Sequence, residues 1–193
     1  MPHQPLIDYF NKKTALTEAE TGYLKSHFRV KKIRKRQYLL EEGDVCRYNS
    51  FVVKGCFRMF LIDEKGKERN LQLSFEDWWI CDISSFYRNE PSRLYIEALE
   101  DSLILQVTKP DLLQLFEDYP TFSHVFRVLA ENALVTAQNR ILEKVSSTAE
   151  ERYLDFAKRY PQLFNRIPHF HIASYLGVTP EFLSTIRKRS LKS

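Results

Sequence analysis

Near Lys109 the chain changes texture, and that change limits what it can fold into. Between Arg29 and Thr108 the apolar segments are short, rich in β-branched and aromatic residues, and broken by turns around Gly43, Gly55 and Gly66. Leu71, Leu73 and Phe75 alternate with Asn70, Gln72 and Ser74, the period of a half-buried strand. Phe51 to Val53 and Phe57 to Ile62 flank Gly55 as paired strands, and Leu103 to Val107 is the last of the set. Many short strands of this kind predict a jelly roll. After Lys109 and Pro110 the pattern is helical to the end, so the expected class is α+β.

The helical part divides again. From Pro120 to Lys144 no internal Pro or Gly interrupts a long central helix. Phe122, Phe126, Leu129 and Ala133 form one apolar stripe on it, and Val125, Val128, Val135 and Leu142 form a second. Two apolar faces need two partners. One is the β domain; the other is either the same helix of a second chain or another part of the same chain. Thr148 and Glu151 then make a Thr-x-x-Glu capping box, which starts a helix carrying Tyr153, Leu154, Ala157 and Tyr160. The expected organisation is a β-roll over 1–118, a central dimerisation helix over 119–145 and a helical module over 146–193.

Within that module, Ile167 to Ser193 reads as two short helices hinged at Gly177. Ile172, Ala173 and Leu176 form one stripe, and Gly177 can take the left-handed backbone conformation that ends the first helix. Thr179 is a good N-cap, Pro180 suits the first helical position, and Glu181 suits the positive end of the helix dipole. Leu183 and Ile186 face inward, which leaves Pro180, Glu181, Ser184, Thr185 and Lys188 outward. This is the pattern of a helix-turn-helix, although an ordinary helical hairpin has the same local signature.

Charge separates those readings. The chain carries 29 Lys+Arg and 25 Asp+Glu. Arg166, Arg187, Lys188, Arg189 and Lys192 against Glu181 give the stretch from Pro161 onward a net +4, equal to the whole chain's net +4. A small basic helical module is what phosphate binding through counterion release requires. The other basic run, seven cations from Lys25 to Arg36, reads as a solvated strand face beside Glu41, Glu42 and Asp44; an RNA or acidic-partner interaction module is the alternative.

Other classes find little footing. An apolar fraction of 44 % supports a packed core. No segment is long and apolar enough for a membrane span, the amino terminus does not read as a signal peptide, and the expected location is the cytoplasm. Cys46, Cys56 and Cys81 are too widely spaced for a zinc or iron–sulfur motif, and His27 with Cys46 is a weak haem ligand set. A metal-dependent cupin-like enzyme needs two or three His from adjacent strands, yet no histidine lies between His27 and His124. His169 and His171 read as a solvated or phosphate-facing pair.

The order β-roll, long helix, second helix and helix-turn-helix resembles the cyclic-AMP receptor/FNR (Crp/Fnr) family of bacterial transcription regulators. The segment from Arg166 to Lys188 is the most specific match, and Leu40 to Asp44 and Val53 to Arg58 resemble turns of that family's roll. The likeness runs from about residue 6 to 190. It implies a non-enzymatic homodimer that binds double-stranded DNA at a palindromic operator, with RNA polymerase as a further partner. It also places Pro180, Glu181, Ser184, Thr185 and Lys188 at base edges, with Thr179 and Arg187 near phosphates. A Glu181 carboxylate can accept from a cytosine amino group. No substantial β-wing is expected after the second helix.

The effector end departs from the family. Cyclic-AMP-binding members carry a Gly-Glu pair and, some ten residues later, an Arg-Ser or Arg-Thr pair. Here the first place reads Phe75 to Trp79; at the second, Ser92 stands where Arg is expected and Arg93 is one position off, toward the opposite face of a strand. Cyclic AMP is therefore disfavoured, no cofactor is expected, and the effector is unnamed. Trp78, Trp79, Ser92 and Arg93 are the candidate pocket residues, with Trp78, Trp79, Phe86 and Tyr87 expected to fill the space rather than line a pocket for an apolar ligand.

Overall fold

Eight strands build the roll: β1 (Arg29–Ile33), β2 (Tyr38–Leu40), β3 (Tyr48–Lys54), β4 (Phe57–Ile62), β5 (Glu68–Ser74), β6 (Trp79–Ile80), β7 (Tyr95–Ala98) and β8 (Ser102–Thr108). They pair into two antiparallel sheets, ordered β1-β8-β3-β6 and β2-β7-β4-β5. That order is the jelly-roll topology. The computed structural model describes residues 1–164 and 166–190, with side chains through Arg187. The β3–β4 hairpin depends on Gly55, whose φ is +115° and whose missing Cβ would lie 2.0 Å from Ser102 Oγ and 2.9 Å from Ser102 Cα. No other residue combines that backbone angle with that close approach.

Among the described residues, eight α-helices surround and extend the roll: α1 (Gln4–Asn11), α2 (Glu18–His27), α3 (Ile83–Arg88), α4 (Lys109–Asp118), α5 (Pro120–Ser146), α6 (Ala149–Arg159), α7 (His169–Leu176) and α8 (Pro180–Ser190). The strand and helix texture after Arg29 does not anticipate α1 and α2. The signal for α2 is a second Thr-x-x-Glu box, in which the Glu20 N–H donates to Thr17 Oγ1 at 3.2 Å and the Thr17 N–H donates to the Glu20 carboxylate at 2.7 Å. Burial holds α1 in place: Leu6 and Phe10 have no exposed surface, and Phe10 meets Phe122 of α5 edge to face at 4.9 Å.

The long helix only partly follows its two expected stripes. Phe122 and Val125 are buried, and Phe126 and Leu129 pack against the same core. Val125, placed on the second stripe, thus joins Phe122, Phe126 and Leu129 of the first against the roll, while Ala133 of the first is exposed. Beyond Leu129 the apolar side chains of the helix no longer reach the roll core, although Arg140 still donates to the Leu71 carbonyl of β5. Val128, Val135 and Leu142 lie open, together with Leu134, Ile141 and Val145.

A second apolar cluster joins the roll to the terminal helices. Cys56, Leu73 and Leu99 of the roll pack with Tyr153, Phe156, Leu163, Ile167, Ile172, Leu176, Leu183 and Ile186. Among the described residues, no helix is long and apolar enough to cross a membrane.

Candidate nucleic-acid interface

Local chemistry shapes the carboxyl-terminal helix pair. Gly177 ends α7 with φ +75°, and the Val178 N–H returns to the Ala173 carbonyl at 3.0 Å. Thr179 caps α8 by accepting the Phe182 N–H at 3.2 Å, and Pro180 takes the first helical position. Leu183 and Ile186, 1 % and 2 % exposed, anchor α8 beneath α7.

The outward face of α8 is open. Pro180, Glu181, Ser184, Thr185 and Arg187 are exposed, as is Thr179 just before them. The side chain of Lys188 lies outside the described residues. The Glu181 carboxyl is held below its ordinary range by its own backbone N–H and the Thr179 hydroxyl. It is therefore an ionised acceptor. Ser184 and Thr185 donate to the Pro180 and Glu181 carbonyls at 2.9 and 3.1 Å, leaving oxygen lone pairs outward. Arg187 Nη1 lies 2.8 Å from His169 Nε2, which ties the start of α7 to the middle of α8. Phe182, 48 % exposed, stands on the same helix beside the outward residues that the spacing of Leu183 and Ile186 picks out.

The other side of the pair docks on the roll. β5 is an edge strand, and Ser174 of α7 satisfies that edge by accepting the Asn70 N–H and donating to the Glu68 carbonyl, both at 3.0 Å. Asn70 Nδ2 donates to the His171 carbonyl at 2.9 Å. Beneath them Arg58 is buried between Glu97, at 2.6 Å, and Glu68, with His171 Nδ1 3.3 Å from its Nη1. Burial, and then the Arg58 charge, push the His171 pKa down to about 4 against the opposing pull of Glu68. The expected solvated His pair is thus corrected: His171 is neutral and buried because α7 turns that face to the sheet edge, while His169 meets Arg187.

A second tie removes one cation from the DNA account. Arg166 donates from both terminal nitrogens to Glu76 at 2.8 Å and also to Glu100, while Glu76 accepts the Gly55 N–H at 2.7 Å. A bidentate, doubly paired guanidinium is unavailable to phosphate. Arg166 therefore contributes to the module's net charge without offering it to a ligand.

The candidate effector residues do not converge. Trp79 packs in the roll core against Phe51 and Phe126, at 5.3 and 5.0 Å between ring centroids. Trp78 meets Phe75 and Tyr160, Arg93 is exposed, and Ser92 is buried. Ser92 donates at 2.7 Å to Asp82, whose other oxygen caps α3 by accepting from Ser84 and Ser85. The aromatic residues fill space, and the segment closes on itself. Cys46 donates to the Tyr48 carbonyl, His27 stacks on Tyr23 at 3.8 Å, and burial raises the Cys46 pKa, so neither residue is set up as a haem ligand. Among the described residues, no group of His, Cys, Asp and Glu is arranged to hold a metal ion.

The comparisons bear on this architecture directly. Residues 30–119 match the cyclic nucleotide-binding domain family. The regulatory protein HlyX of Actinobacillus pleuropneumoniae is 26 % identical over 179 residues, covering 86 % of this chain and 72 % of that one. The chain is thus similar in sequence to that regulatory protein, and its roll to the cyclic nucleotide-binding domain. Its fold is shared with FixK2 from Bradyrhizobium japonicum, at a TM-score of 0.74 and 18 % identity over 84 % of this chain and 83 % of that one. It is also shared with a Crp/Fnr-family regulator from Eubacterium rectale, at a TM-score of 0.70 and 16 % identity over 96 % and 88 %.

Proposed function

We propose that this chain is a transcription regulator of the Crp/Fnr type that works in the cytoplasm as a homodimer and binds a roughly palindromic operator, reading bases through α8. The observation that carries the reading is the outward face of α8, where Glu181, Ser184 and Thr185 stand exposed on a helix anchored by Leu183 and Ile186. Glu181 accepts from a cytosine amino group, Ser184 and Thr185 add less selective contacts, and Thr179, Arg187 and Lys188 serve phosphates and neighbouring base edges. Pro180 offers no donor at the first position. The open stripe of Val135, Leu142 and Val145 supports pairing of two α5 helices, which would set the half-sites about one helical turn apart. RNA polymerase is the partner through which such a protein acts on transcription.

Selection of bound fragments from genomic DNA, followed by affinity measurements across salt concentrations, tests this. Binding should be selective and should weaken steeply as salt rises. Glu181→Ala should relax the preference at one base pair of each half-site, by about 1–3 kcal/mol, without altering the unfolding midpoint. Sequence-blind binding, or a large response to cyclic AMP, would count against the proposal.

A further inference from the structure

The basic run from Lys25 to Arg36 has no part in the operator contact, and the fold gives it a place of its own. Its strand, β1, is the free edge of one sheet, and β2 is an edge of the other. α7 docks on β5, at the opposite end of the strand order from β2. The run therefore lies across the roll from the module that carries α8. All seven of its cations are exposed. Among the described residues none of the seven is in an ion pair, in contrast to Arg58, Arg69, Arg127, Arg159 and Arg166.

The turn between β1 and β2 is fixed through its main chain, which leaves its side chains free. The Arg34 N–H donates to Gln37 Oε1 at 3.0 Å, the Lys35 N–H to Asp101 Oδ1 at 2.8 Å and the Arg36 N–H to the Ala98 carbonyl at 2.7 Å. Arg36 has φ +67°, a left-handed conformation that glycine enters without strain and a long side chain does not. A cation is thus kept where glycine would fit more easily. Protection of a bare sheet edge accounts for lysines on β1, but not for three consecutive cations on the turn beyond it. Side chains alternate along β1, so Arg29 and Lys31 share the face of buried Ile33 and Lys32 lies on the other. A flat membrane or a rigid duplex meets one face of such an edge, whereas a flexible polyanion meets both. Tyr38 follows on β2, 38 % exposed, with its ring 6.0 Å from that of Tyr95, which is stacked on Phe60 at 5.0 Å. An acidic polypeptide has no use for that open ring, while a nucleobase stacks on it. The nearby acids are Glu41, Glu42 and Asp44, also exposed, and Glu42 is engaged by the Tyr95 hydroxyl at 3.2 Å.

We infer that the β1 edge and the turn after it bind single-stranded nucleic acid, with phosphates on Lys31, Lys32, Arg34, Lys35 and Arg36 and a base stacked on Tyr38. A strand that advances about 3.3 Å per residue lays its cations along an extended phosphate backbone, and stacking on an aromatic ring tolerates any base. This surface and the outward face of α8 are different parts of the molecule, so each is tested without the other.

The test is fluorescence anisotropy of the full chain with labelled oligouridylate, oligodeoxythymidylate of equal length and a duplex lacking the operator, and with poly-glutamate as competitor. Both single strands should bind, and a preference for the RNA would assign the source through its 2′-hydroxyls. Lys31→Gln with Arg34→Gln should weaken both at least about tenfold and reduce the logarithmic salt slope by about 1.4, since each phosphate contact on a single strand contributes about 0.7. Tyr38→Ala should weaken them at least about fivefold, and Tyr38→Phe should restore binding. Arg36→Gly should weaken them without lowering the melting temperature, because the backbone strain leaves with the charge. The duplex, which engages α8, should be indifferent to all four variants. No binding of either single strand, displacement by poly-glutamate at equal charge, affinities unmoved by the double substitution, or a duplex weakened as much as the single strands would each overturn the inference. Single-strand binding by a chain that fails to select any operator would uphold it and remove only the operator reading.

Discussion

The two halves of α5 share one helix and a similar apolar content but meet different fates. The amino-terminal half, with Phe122, Val125, Phe126 and Leu129, is sealed against the roll and α1. The carboxyl-terminal half exposes Leu134, Val135, Ile141, Leu142 and Val145, which range from 52 % to 84 % exposed. What touches that half is polar: Arg140 donates to the Leu71 carbonyl and lies over the Tyr175 ring at 4.1 Å, and Glu143 accepts from Arg159 at 2.8 Å. A continuous run of apolar residues thus supplies a core contact at one end and, at the other, a surface too apolar for water. The first is completed within the chain. The second calls for another chain, and that contrast leads to the dimer proposal.

The sharpest way to break the contrast is at its closed end. Phe122→Ala should lower the unfolding free energy by about 3–5 kcal/mol in urea titrations, because a ring with no exposed surface leaves a cavity among Phe10 and Tyr119. A loss below about 1 kcal/mol would mean that the amino half is not sealed.

Acid should loosen the module lying beside the open half. His171 has a folded pKa of about 4 against an ordinary 6.5, so between those values the unfolded chain binds a proton that the folded one refuses. Stability is therefore unaffected above about pH 6.5, falls as the pH drops toward 4, and changes little further from this group, with a total loss of about 3 kcal/mol. The groups facing His171 are Arg58, which disfavours its charge, and Glu68, which favours it. His171→Gln should flatten that part of the pH profile, and an unchanged profile would show that the histidine is not buried against Arg58.

At the open end, Val135→Asp with Leu142→Asp should leave each chain folded yet convert the assembly to monomers in sedimentation velocity. Operator affinity should fall on the order of a hundredfold as two linked half-site contacts become independent. A variant that stays dimeric would move the interface elsewhere. The smallest effect belongs to the solvated flank between the halves, where Arg127 and Glu131 form an exposed i, i+4 pair. Arg127→Ala should cost no more than about 0.5 kcal/mol.

Much of this molecule could be read residue by residue. Gly55 and Gly177 mark turns that need positive φ, Thr148 and Thr179 mark helix starts, and the alternation around Leu73 marks a half-buried strand; each is a local requirement that neighbouring residues satisfy. The outward face of α8 was legible for the same reason, since the inward spacing of Leu183 and Ile186 fixes what points away. The amino-terminal helices were less so: α2 had its capping box, but α1 gains its place only from Phe10 meeting Phe122 across more than a hundred residues.

The sequence by itself determined the order of elements, the helix caps and the chemistry offered by α8, because those depend on spacing and on hydrogen bonds within a few residues. Only the tertiary structure decided which charges are spent. Arg166 counts as a free cation in the sequence and becomes a tied one beside Glu76 and Glu100; His171 reads as solvated and is buried on the edge of β5. Burial and pairing are properties of distant segments brought together, and no short-range pattern encodes them.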